Sequence, residues 1–472
     1  MTRRDFLVAA AATAAGLFLG VGGCGIGKGK RENLLLIVSD TLRADHLSSY
    51  GFPFETSPNV DSLARRGTAF TDLMSCAPIT GASHASMMTG TYQTRHGIFG
   101  NGGTISENLT TIAEICRDSE YETAAFVSNP ALDPSWLVGI DRGFNVFDAE
   151  LPSLERNRQS SYRDAAGTAE AAIKWLQGRN DGRFLLWVHF QEPHGPYEVP
   201  VAAPLGRLES TERRTGEPQA LRVLEGNGGP GGIPLYQVLG EERDPAVYRA
   251  RYAARVSYVD EQIGRVLSAV GRQGLQDETL IAFTADHGEL LGEHDYYFQH
   301  GATVFQPGLH VPLIVAGPGV KPGQSSSVAA AGVDVMPTVL DLIGLGGDAS
   351  ADQLQGRSLA HFARGAKDRE ATQTARFASS EGGIDWCVQV GRYKLSICQS
   401  APKSSAMLFD LQSDPDEKVD LAPREPARVA KMSALLDSFM ARPPQGDLPG
   451  SGAAPGLSEE NRRRLKSLGY LE

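Results

Sequence analysis

Uninterrupted apolar runs alternate with amphipathic stretches along the first two thirds of the chain. The run at 34–39 contains no charged residue, as expected for a strand covered on both faces of a sheet. Further runs predict strands at 123–128, 184–190, 279–284 and 311–316. Between them apolar residues recur at helical spacing, most clearly in a stripe from Tyr248 to Val270. This alternation predicts an α/β fold with a large, mainly parallel sheet sandwiched by helices.

The pattern changes near residue 345, which suggests a division into a large domain, 30–345, and a smaller one. Residues 346–372 have the composition of a linker. After them, apolar runs at 386–390 and 393–398 predict a hairpin, and 428–440 predicts a helix that packs on it. We therefore expect a small C-terminal α+β domain over 373–441, followed by a tail over 442–472. Within the large domain, the Gly-, Pro- and charge-rich segment 204–245 predicts a long loop over a ligand site.

The first 24 residues are typical of an export signal. Arg3 and Arg4 precede Phe-Leu, and an uncharged apolar stretch then ends in Val-Gly-Gly-Cys24. The twin arginines resemble a Tat signal, and the small residues before Cys24 resemble a lipobox, in which the cysteine is acylated. The stretch is marginal in length and rich in Gly and Ala, which favours cleavage over a retained membrane anchor. We expect 1–24 to be a Tat-type lipoprotein signal and the mature protein to be exported, on the periplasmic or outer-surface side, and held to the membrane only by lipid on Cys24.

Charge and cysteine content narrow the classes of partner. The chain carries 45 Lys and Arg against 56 Asp and Glu, a net charge of −11, which disfavours binding to nucleic acid. Its five cysteines contain no Cys-x-x-Cys pair, which excludes a disulfide scaffold and a cysteine-built zinc module. Cys387 and Cys398 flank the predicted hairpin turn and are candidates for a disulfide. Two free thiols are favoured, because the spacing does not clearly place them opposite each other.

Polar side chains follow the predicted strands at the ends where ligands bind in open α/β sheets. Asp40 follows the first strand, and Asp286 and His287 follow the strand at 279–284. A helix N-cap explains one such aspartate, but two strand ends with an adjacent imidazole predict a site for a divalent cation. Between them Thr80 and Ser83 lie where a loop of small residues enters a helix. A hydroxyl there sits in the positive field of the helix N-terminus, although plain capping remains an alternative.

An ordered set of motifs resembles the sulfatase family, within the alkaline phosphatase superfamily. The motifs are LIVSDTLRADHLSSYG at 36–51, SHASMMTG at 83–90 with RHG at 95–97, EPHGPY at 192–197, ADHGELLGEHDYYFQH at 285–300, HVPLIVAGPG at 310–319, DVMPTVLD at 334–341, LFDLQSD at 408–414 and LKSLGYL at 465–471. The resemblance implies an α/β core with a smaller C-terminal domain. It also implies metal-assisted, two-step cleavage of an ester through a covalent enzyme intermediate.

The chain departs from the family at the nucleophile. Family sulfatases carry Cys-x-Pro-x-Arg, whose cysteine is oxidised to formylglycine. Cys76-Ala-Pro is similar to the start of that motif, but the arginine is absent two residues after the proline. In the family register the nucleophile lies ten residues before the glycine that matches Gly90, which implies Thr80, with His84 in the arginine position. Oxidation of a secondary alcohol gives a ketone, so we expect no formylglycine at Thr80, and Cys76 remains the rival.

The resemblance also suggests roles for other polar residues. It implies that His194 contacts the non-bridging oxygens of the ester or protonates the leaving group, and that His300, in the position of a family lysine, does similar work. His84 is a third catalytic candidate. Asn129, where another family lysine is expected, offers the substrate only a neutral hydrogen bond. His189, in a strand with apolar neighbours, is expected to be a core histidine.

The metal site also differs from the family pattern. An imidazole in place of an oxygen ligand favours zinc or manganese over calcium. We expect one metal rather than two, because the aspartate that zinc diesterases carry four residues before the residue equivalent to His194 is Phe190 here. The predicted ligands are Asp40, Thr80, Asp286 and His287.

These observations predict a metal-dependent hydrolase that cleaves sulfuric or phosphoric esters through a covalent intermediate on Thr80. A sulfated threonine lacks the elimination route of formylglycine and should clear slowly, which favours phosphate esters, whereas the overall resemblance favours sulfate esters. The alternative is a transferase that passes phosphoethanolamine or glycerophosphate to a cell-envelope acceptor, since such enzymes also use a threonine with an Asp-His pair. A non-enzymatic envelope binding protein is disfavoured because the predicted ligands are intact.

Overall fold

A computed structural model describes residues 32–152, 162–198, 205–214, 216–226, 228–348, 353–367, 373–399, 405–441 and 458–470. The predicted export signal 1–24, with Cys24, lies outside the described residues. Within the described ranges, no helix is long and apolar enough to cross a membrane.

A nine-stranded sheet forms the centre of the described chain. Eight strands run in one direction, and only His310–Ala316 runs antiparallel to its two neighbours. The mainly parallel sheet is therefore confirmed. In order across the sheet, the strands are Gln324–Ser326, Gly67–Met74, His310–Ala316, Thr279–Ala285, Asn33–Ser39, Phe184–Phe190, Glu122–Val127 and Val146–Asp148, and Ala330–Ala331 also pairs with Gly67–Met74.

All five predicted strands are present, within one residue at either end. The strand Gly67–Met74 was not among them, because it follows the helix Pro58–Arg66 without a loop and mixes polar with apolar residues. Gly67 permits this close packing, since a Cβ there would lie 2.0 Å from the carbonyl oxygen of Val315 on the paired strand.

Helices cover the sheet, and the predicted stripe forms the longest of them, Pro245–Arg272. Its apolar stripe is buried, as the spacing predicts. The α-helices are Pro58–Arg66, Thr80–Thr89, Gln93–His96, Ile112–Asp118, Ala165–Gly178, Leu205–Glu212, Pro245–Arg272, Gln306–Leu309, Val335–Leu342, Ala360–Ala363, Pro426–Met440 and Glu459–Ser467.

Short paired strands complete the large domain. They are Gly103–Thr104 with Leu137–Val138, Arg222–Val223 with Gly232–Ile233, and Leu290–Leu291 with Tyr297–Gln299. The prediction of a continuous loop over 204–245 is therefore wrong in part, because this segment contains the helix Leu205–Glu212 and one of these strand pairs. The local Gly and Pro content did not indicate either element.

The C-terminal domain is a four-stranded antiparallel sheet with the helix Pro426–Met440 packed on it. Its strands are Arg376–Ser379, Trp386–Val390, Tyr393–Cys398 and Ser405–Asp410. Arg376 joins this sheet to the large domain, since its Nη1 lies 2.6 Å from Oδ1 of Asp72. A shared apolar cluster that includes Val333 and Phe377 adds to this contact, so the two domains form one packed unit.

Two further expectations about the C-terminal third need correction. The predicted linker 346–372 packs on the large domain where it is described: Leu359 is fully buried, and Gln353 Nε2 donates to the carbonyl of Thr89 at 3.0 Å. The predicted tail 442–472 contains the helix Glu459–Ser467, with Leu465 and Leu468 buried. Both segments are mostly polar, and the few residues that pack on the large domain were therefore not predicted.

The four cysteines in the described part of the chain are free. Cys387 pairs across the hairpin with Ser396 rather than with Cys398. The two thiols are thus offset by two residues, which agrees with the preference for free thiols.

Candidate active site

The site lies at the carboxyl edge of the parallel strands. The central strand Asn33–Ser39 pairs in parallel with Thr279–Ala285 on one side and Phe184–Phe190 on the other, and Ser39 pairs with Ala285 and Phe190. Residues that follow these strands must therefore meet, which brings Asp40 beside Asp286 and His287, as the sequence predicts.

Backbone groups hold Asp286 in one orientation. Its Oδ1 accepts hydrogen bonds from the backbone N–H groups of Thr41 at 3.2 Å and His287 at 2.8 Å. His287 Nδ1 lies 2.9 Å from the carbonyl of Gly288, which can only accept, so Nδ1 carries the proton and Nε2 presents a lone pair. That Nε2 lies 3.6 Å from Oδ2 of Asp286 and 3.9 Å from Oδ1 of Asp40.

These atoms fit a divalent cation. Among the described residues, Asp40 Oδ1 and Asp286 Oδ2 have no hydrogen-bond partner, although both side chains are fully buried. Burial, together with the charge of Asp286, raises the pKa of Asp40 well above its usual value. Two buried carboxylate oxygens and an imidazole lone pair are an acceptable donor set for a metal, whose charge relieves the repulsion between the carboxylates.

Thr80 is the first residue of the helix Thr80–Thr89, and its Oγ1 lies 3.3 Å from Nε2 of His287. The helix start is tied to the metal-site strand by Ser83, whose hydroxyl donates to the carbonyl of Asp286 at 2.6 Å. Gly81 allows the loop beyond to approach, because a Cβ there would lie 2.6 Å from the carbonyl oxygen of Gly100. The helix N-terminus thus presents the Thr80 hydroxyl beside the predicted ligands.

Cys76, the rival nucleophile, lies in a different environment. It is buried in the apolar cluster shared with the C-terminal domain, with Tyr92 and Phe377 among the other members. Burial raises the pKa of the Cys76 thiol to about 12, which makes the thiolate inaccessible near neutral pH.

His84 and His189 lie close to the predicted metal ligands. His84 Nδ1 lies 2.8 Å from the carbonyl of Thr80 and 3.6 Å from Oδ2 of Asp286. His189 Nε2 lies 3.7 Å from Oδ2 of Asp40, and neither ring nitrogen has a hydrogen-bond partner within the described ranges. His189 is therefore buried as expected, but it is not an ordinary core histidine, since it faces the carboxylates.

His194 and His300 lie beside each other, with ring centroids 5.0 Å apart. Their surroundings shift their pKa values in opposite directions. Burial, then the neighbouring His300, lowers the pKa of His194 well below its usual value. Burial also acts to lower the pKa of His300, but Glu289, whose Oε1 lies 2.9 Å from Nδ1, outweighs it and raises that pKa. The surroundings thus disfavour the protonated form of His194 and favour the protonated form of His300.

Asn129 follows the strand Glu122–Val127 and makes two hydrogen bonds within the site. Its Nδ2 donates to Oδ2 of Asp40 at 2.5 Å and to the hydroxyl of Tyr470 at 2.7 Å. Asn129 thus fixes the orientation of Asp40 rather than presenting a free donor.

Tyr470 was missed as a site residue, because it lies in the predicted tail. Its hydroxyl is 2.9 Å from Nε2 of His194, 276 positions earlier in the chain. Burial, followed by the charge of Asp40, raises the pKa of Tyr470 well above its usual value. The only sequence signal was the motif LKSLGYL, which falls outside the predicted domains.

The model of the sulfatase family matches residues 32–345. The chain belongs to the sulfatase family. A second model, described as the C-terminal region of N-sulphoglucosamine sulphohydrolase, matches residues 292–438. Membership of this family, within the alkaline phosphatase superfamily, makes the protein a hydrolase of sulfuric or phosphoric esters. Enzymes of this family are metal-dependent, which agrees with the Asp40, Asp286 and His287 group.

Proteins similar to this sulfatase-family enzyme carry different names. It is 27% identical to a choline-sulfatase of Rhizobium meliloti (strain 1021), with 86% of each chain covered. It is 25% identical to the multifunctional alkaline phosphatase superfamily protein PehA of Trinickia caryophylli, over 85% of this chain and 93% of that one. The fold is similar to that of the phosphonate monoester hydrolase of Agrobacterium radiobacter, with a TM-score of 0.67, 23% identity, and 87% and 96% of the two chains covered.

Proposed function

We propose that this sulfatase-family enzyme cleaves sulfuric or phosphoric esters in two steps, with Thr80 as the nucleophile. The observation that carries the proposal is the position of Thr80 Oγ1, 3.3 Å from Nε2 of His287 at the start of a helix. Asp40 and Asp286 border the same space with unpaired oxygens. When bound there, a divalent cation supplies positive charge that lowers the pKa of the hydroxyl.

In the first step, the Thr80 hydroxyl gives its proton to solvent water and attacks phosphorus or sulfur, and the bond to the leaving oxygen breaks. His300 donates a proton to that oxygen, a role supported by its contact with Glu289, which favours the protonated imidazole. In the second step, water attacks the Thr80 ester and gives one proton to His300, and the Thr80 oxygen leaves and regains a proton from solvent. The acid released is inorganic phosphate or sulfate from a monoester, a phosphate monoester from a diester, and a phosphonate from a phosphonate ester. Each step therefore restores the proton that the other consumes.

The proposal favours phosphate or phosphonate esters as the better substrates. Threonine cannot form formylglycine, and a sulfated threonine has no elimination route for release. The relatives named above include one that acts on choline sulfate and one whose name is multifunctional, so both ester classes belong in the test. The imidazole of His287 supports zinc or manganese rather than calcium.

The experiment is a panel of aryl sulfate, phosphate monoester, phosphate diester and phosphonate monoester substrates. It uses enzyme stripped of metal and reconstituted separately with zinc, manganese and calcium. The proposal predicts turnover of at least one phosphorus ester with zinc or manganese, and loss of that turnover in Thr80→Ala. Turnover retained in Thr80→Ala would overturn the role of Thr80, and turnover confined to sulfate esters would overturn the preference for phosphorus esters.

The same reactions distinguish hydrolysis from transfer. Added alcohols, such as glycerol and ethanolamine, compete with water for the Thr80 ester. The product of attack by water as the dominant product supports the hydrolase: inorganic phosphate from a monoester, a phosphate monoester from a diester, or a phosphonate from a phosphonate ester. A phosphorylated alcohol as the dominant product at low alcohol concentration favours a transferase to a cell-envelope acceptor.

A further inference from the structure

The C-terminal segment that contains Tyr470 is fixed against the large domain by specific contacts. The helix Glu459–Ser467 begins at Ser458, whose side chain caps the backbone N–H of Asn461. Asn461 Nδ2 donates to Oδ2 of Asp133 at 3.0 Å, and Arg464 Nη2 donates to the carbonyl of Pro152 at 2.6 Å. Asn461 and Arg464 lie one turn apart on the same face of this short helix, and this face is therefore held against the large domain.

The end of this helix directs Tyr470 into the site. The N–H of Tyr470 donates to the carbonyl of Leu465 at 2.8 Å, and the N–H of Gly469 donates to the carbonyl of Lys466 at 3.2 Å. This pair of bonds is a Schellman motif, and Gly469 has the positive φ of 85° that the motif needs. A Cβ on Gly469 would lie 2.6 Å from the ring of Tyr236, so no other residue fits there without displacing the turn.

The protonation of His194 determines what Tyr470 can do. His194 Nδ1 lies 2.7 Å from the carbonyl of Gly195, which only accepts, so Nδ1 is the donor. In the neutral ring Nε2 is then an acceptor, and the hydroxyl of Tyr470 donates to it at 2.9 Å. His194 in this form repels the oxygens of an anionic ester through its lone pair.

We propose that the hydroxyl of Tyr470 is a substrate-binding donor, which turns from Nε2 of His194 to a non-bridging oxygen of the bound ester. Asn129 keeps donating to the phenolic oxygen during this change, and only the acceptor of the phenolic proton is exchanged. The anionic oxygen is a stronger acceptor than imidazole, which favours the exchange. The C-terminal segment therefore supplies a hydrogen-bond donor to the ester oxygens that the large domain does not supply. The inference rests on the proposed function, because it assumes an ester held beside Thr80.

The test compares Tyr470→Phe with the unchanged enzyme, using the phosphorus ester that the substrate panel identifies. Phenylalanine keeps the ring contacts with His194 and His300 and removes only the hydroxyl. We expect kcat/KM to fall by about 10²-fold, the scale for loss of one donor to a developing anion. We expect inhibition by orthovanadate to weaken by a similar factor, while bound metal and Tm stay unchanged. Tyr393→Phe, whose hydroxyl contacts Arg392 on the C-terminal sheet, is the matched control.

The results for Tyr470→Phe and Gly469→Ala decide whether the Tyr470 hydroxyl binds the ester. Unchanged kcat/KM and vanadate inhibition in Tyr470→Phe would overturn the inference, as would a gain in activity, which would mean that the phenol obstructs the site. Gly469→Ala, which keeps the hydroxyl but displaces the turn, should show the same loss. A loss in Gly469→Ala alone would make the segment a packing element only. Thr80→Ala is assayed in parallel, since its failure to lose activity would reject the proposed function separately.

Discussion

Nδ1 of His300 lies 2.9 Å from Oε1 of Glu289, and the other carboxylate oxygen of Glu289 accepts from the hydroxyl of Tyr197 at 2.9 Å. This contact raises the pKa of His300 although burial opposes it. A proton donor to the leaving oxygen must carry its proton at the working pH. Glu289 thus extends to higher pH the range in which His300 can act.

The first prediction concerns this pH range. Activity that needs protonated His300 is present below its raised pKa and is lost as the pH rises through it. Glu289→Gln removes the charge that favours the protonated imidazole, so the descending limb of kcat against pH should move to lower pH. Glu293→Gln is the control, since Glu293 pairs with Arg43 and Arg214 instead. A descending limb that stays in place in Glu289→Gln would remove His300 from the acid role.

The parts of the fold and site that the sequence predicted are those encoded locally. The strand at 34–39 could be predicted because every residue in it is apolar or small. The position of Asp40 at the edge of the sheet could then be predicted, because it is the next residue after the strand. The direction of His310–Ala316 was not visible, since an apolar run looks the same in parallel and antiparallel pairing. The role of Tyr470 could not be predicted, because its partner His194 is 276 positions away in the chain. The direction of its side chain also depends on the turn at Gly469, which local sequence does not indicate.

The second prediction concerns the metal. Asp286→Asn removes a charged ligand whose Oδ1 is already held by backbone N–H groups, so little else should change. Bound metal should fall well below one equivalent, and kcat/KM should fall by at least about 10²-fold, because the charge contributes several kcal/mol to the transition state. Elemental analysis of dialysed protein measures the bound metal. Asp118→Asn, an exposed aspartate, is the control, and full metal occupancy in Asp286→Asn would contradict the ligand assignment.

The third prediction concerns the stability of the C-terminal domain. Lys394 Nζ lies 2.8 Å from Oε1 of Glu417, and both side chains are fully buried. Lys394→Met leaves the buried carboxylate without its cation, with the backbone N–H of Gln306 still donating to Oε2 at 2.6 Å, which should lower the free energy of unfolding by about 3–5 kcal/mol. Lys418→Met breaks an exposed pair with Asp416 and should have no measurable effect. Denaturant unfolding decides between them, and equal stabilities for the two variants would contradict the burial of the first pair.

The fourth prediction concerns export, which rests on residues outside the described part of the chain. Replacing both Arg3 and Arg4 by lysine should leave the protein in the cytoplasm. Cys24→Ser should allow export but release the protein from the membrane fraction, because the acylated residue is gone. Fractionation of the producing cells with an antibody against the C-terminal domain measures both. Undiminished export of the double lysine variant would reject the Tat interpretation.

The fifth prediction concerns the nucleophile, on which the account of the mechanism depends. Thr80→Ser should retain partial activity, because a hydroxyl remains beside His287. Cys76→Ala should change kcat/KM little, because a buried thiol acts mainly as a small apolar side chain. Mass spectrometry of the peptide that contains Cys76 should show an unmodified thiol and no formylglycine.

The turnover of Thr80→Ala shows whether Thr80 is the nucleophile. The variant is measured on the preferred ester, in metal-reconstituted enzyme whose folding is checked by its melting temperature. Removal of the attacking oxygen should lower kcat/KM by at least about 10³-fold, the scale found when a nucleophile is deleted. Activity of Thr80→Ala within about tenfold of the unchanged enzyme would contradict the claim and return the role of nucleophile to Cys76.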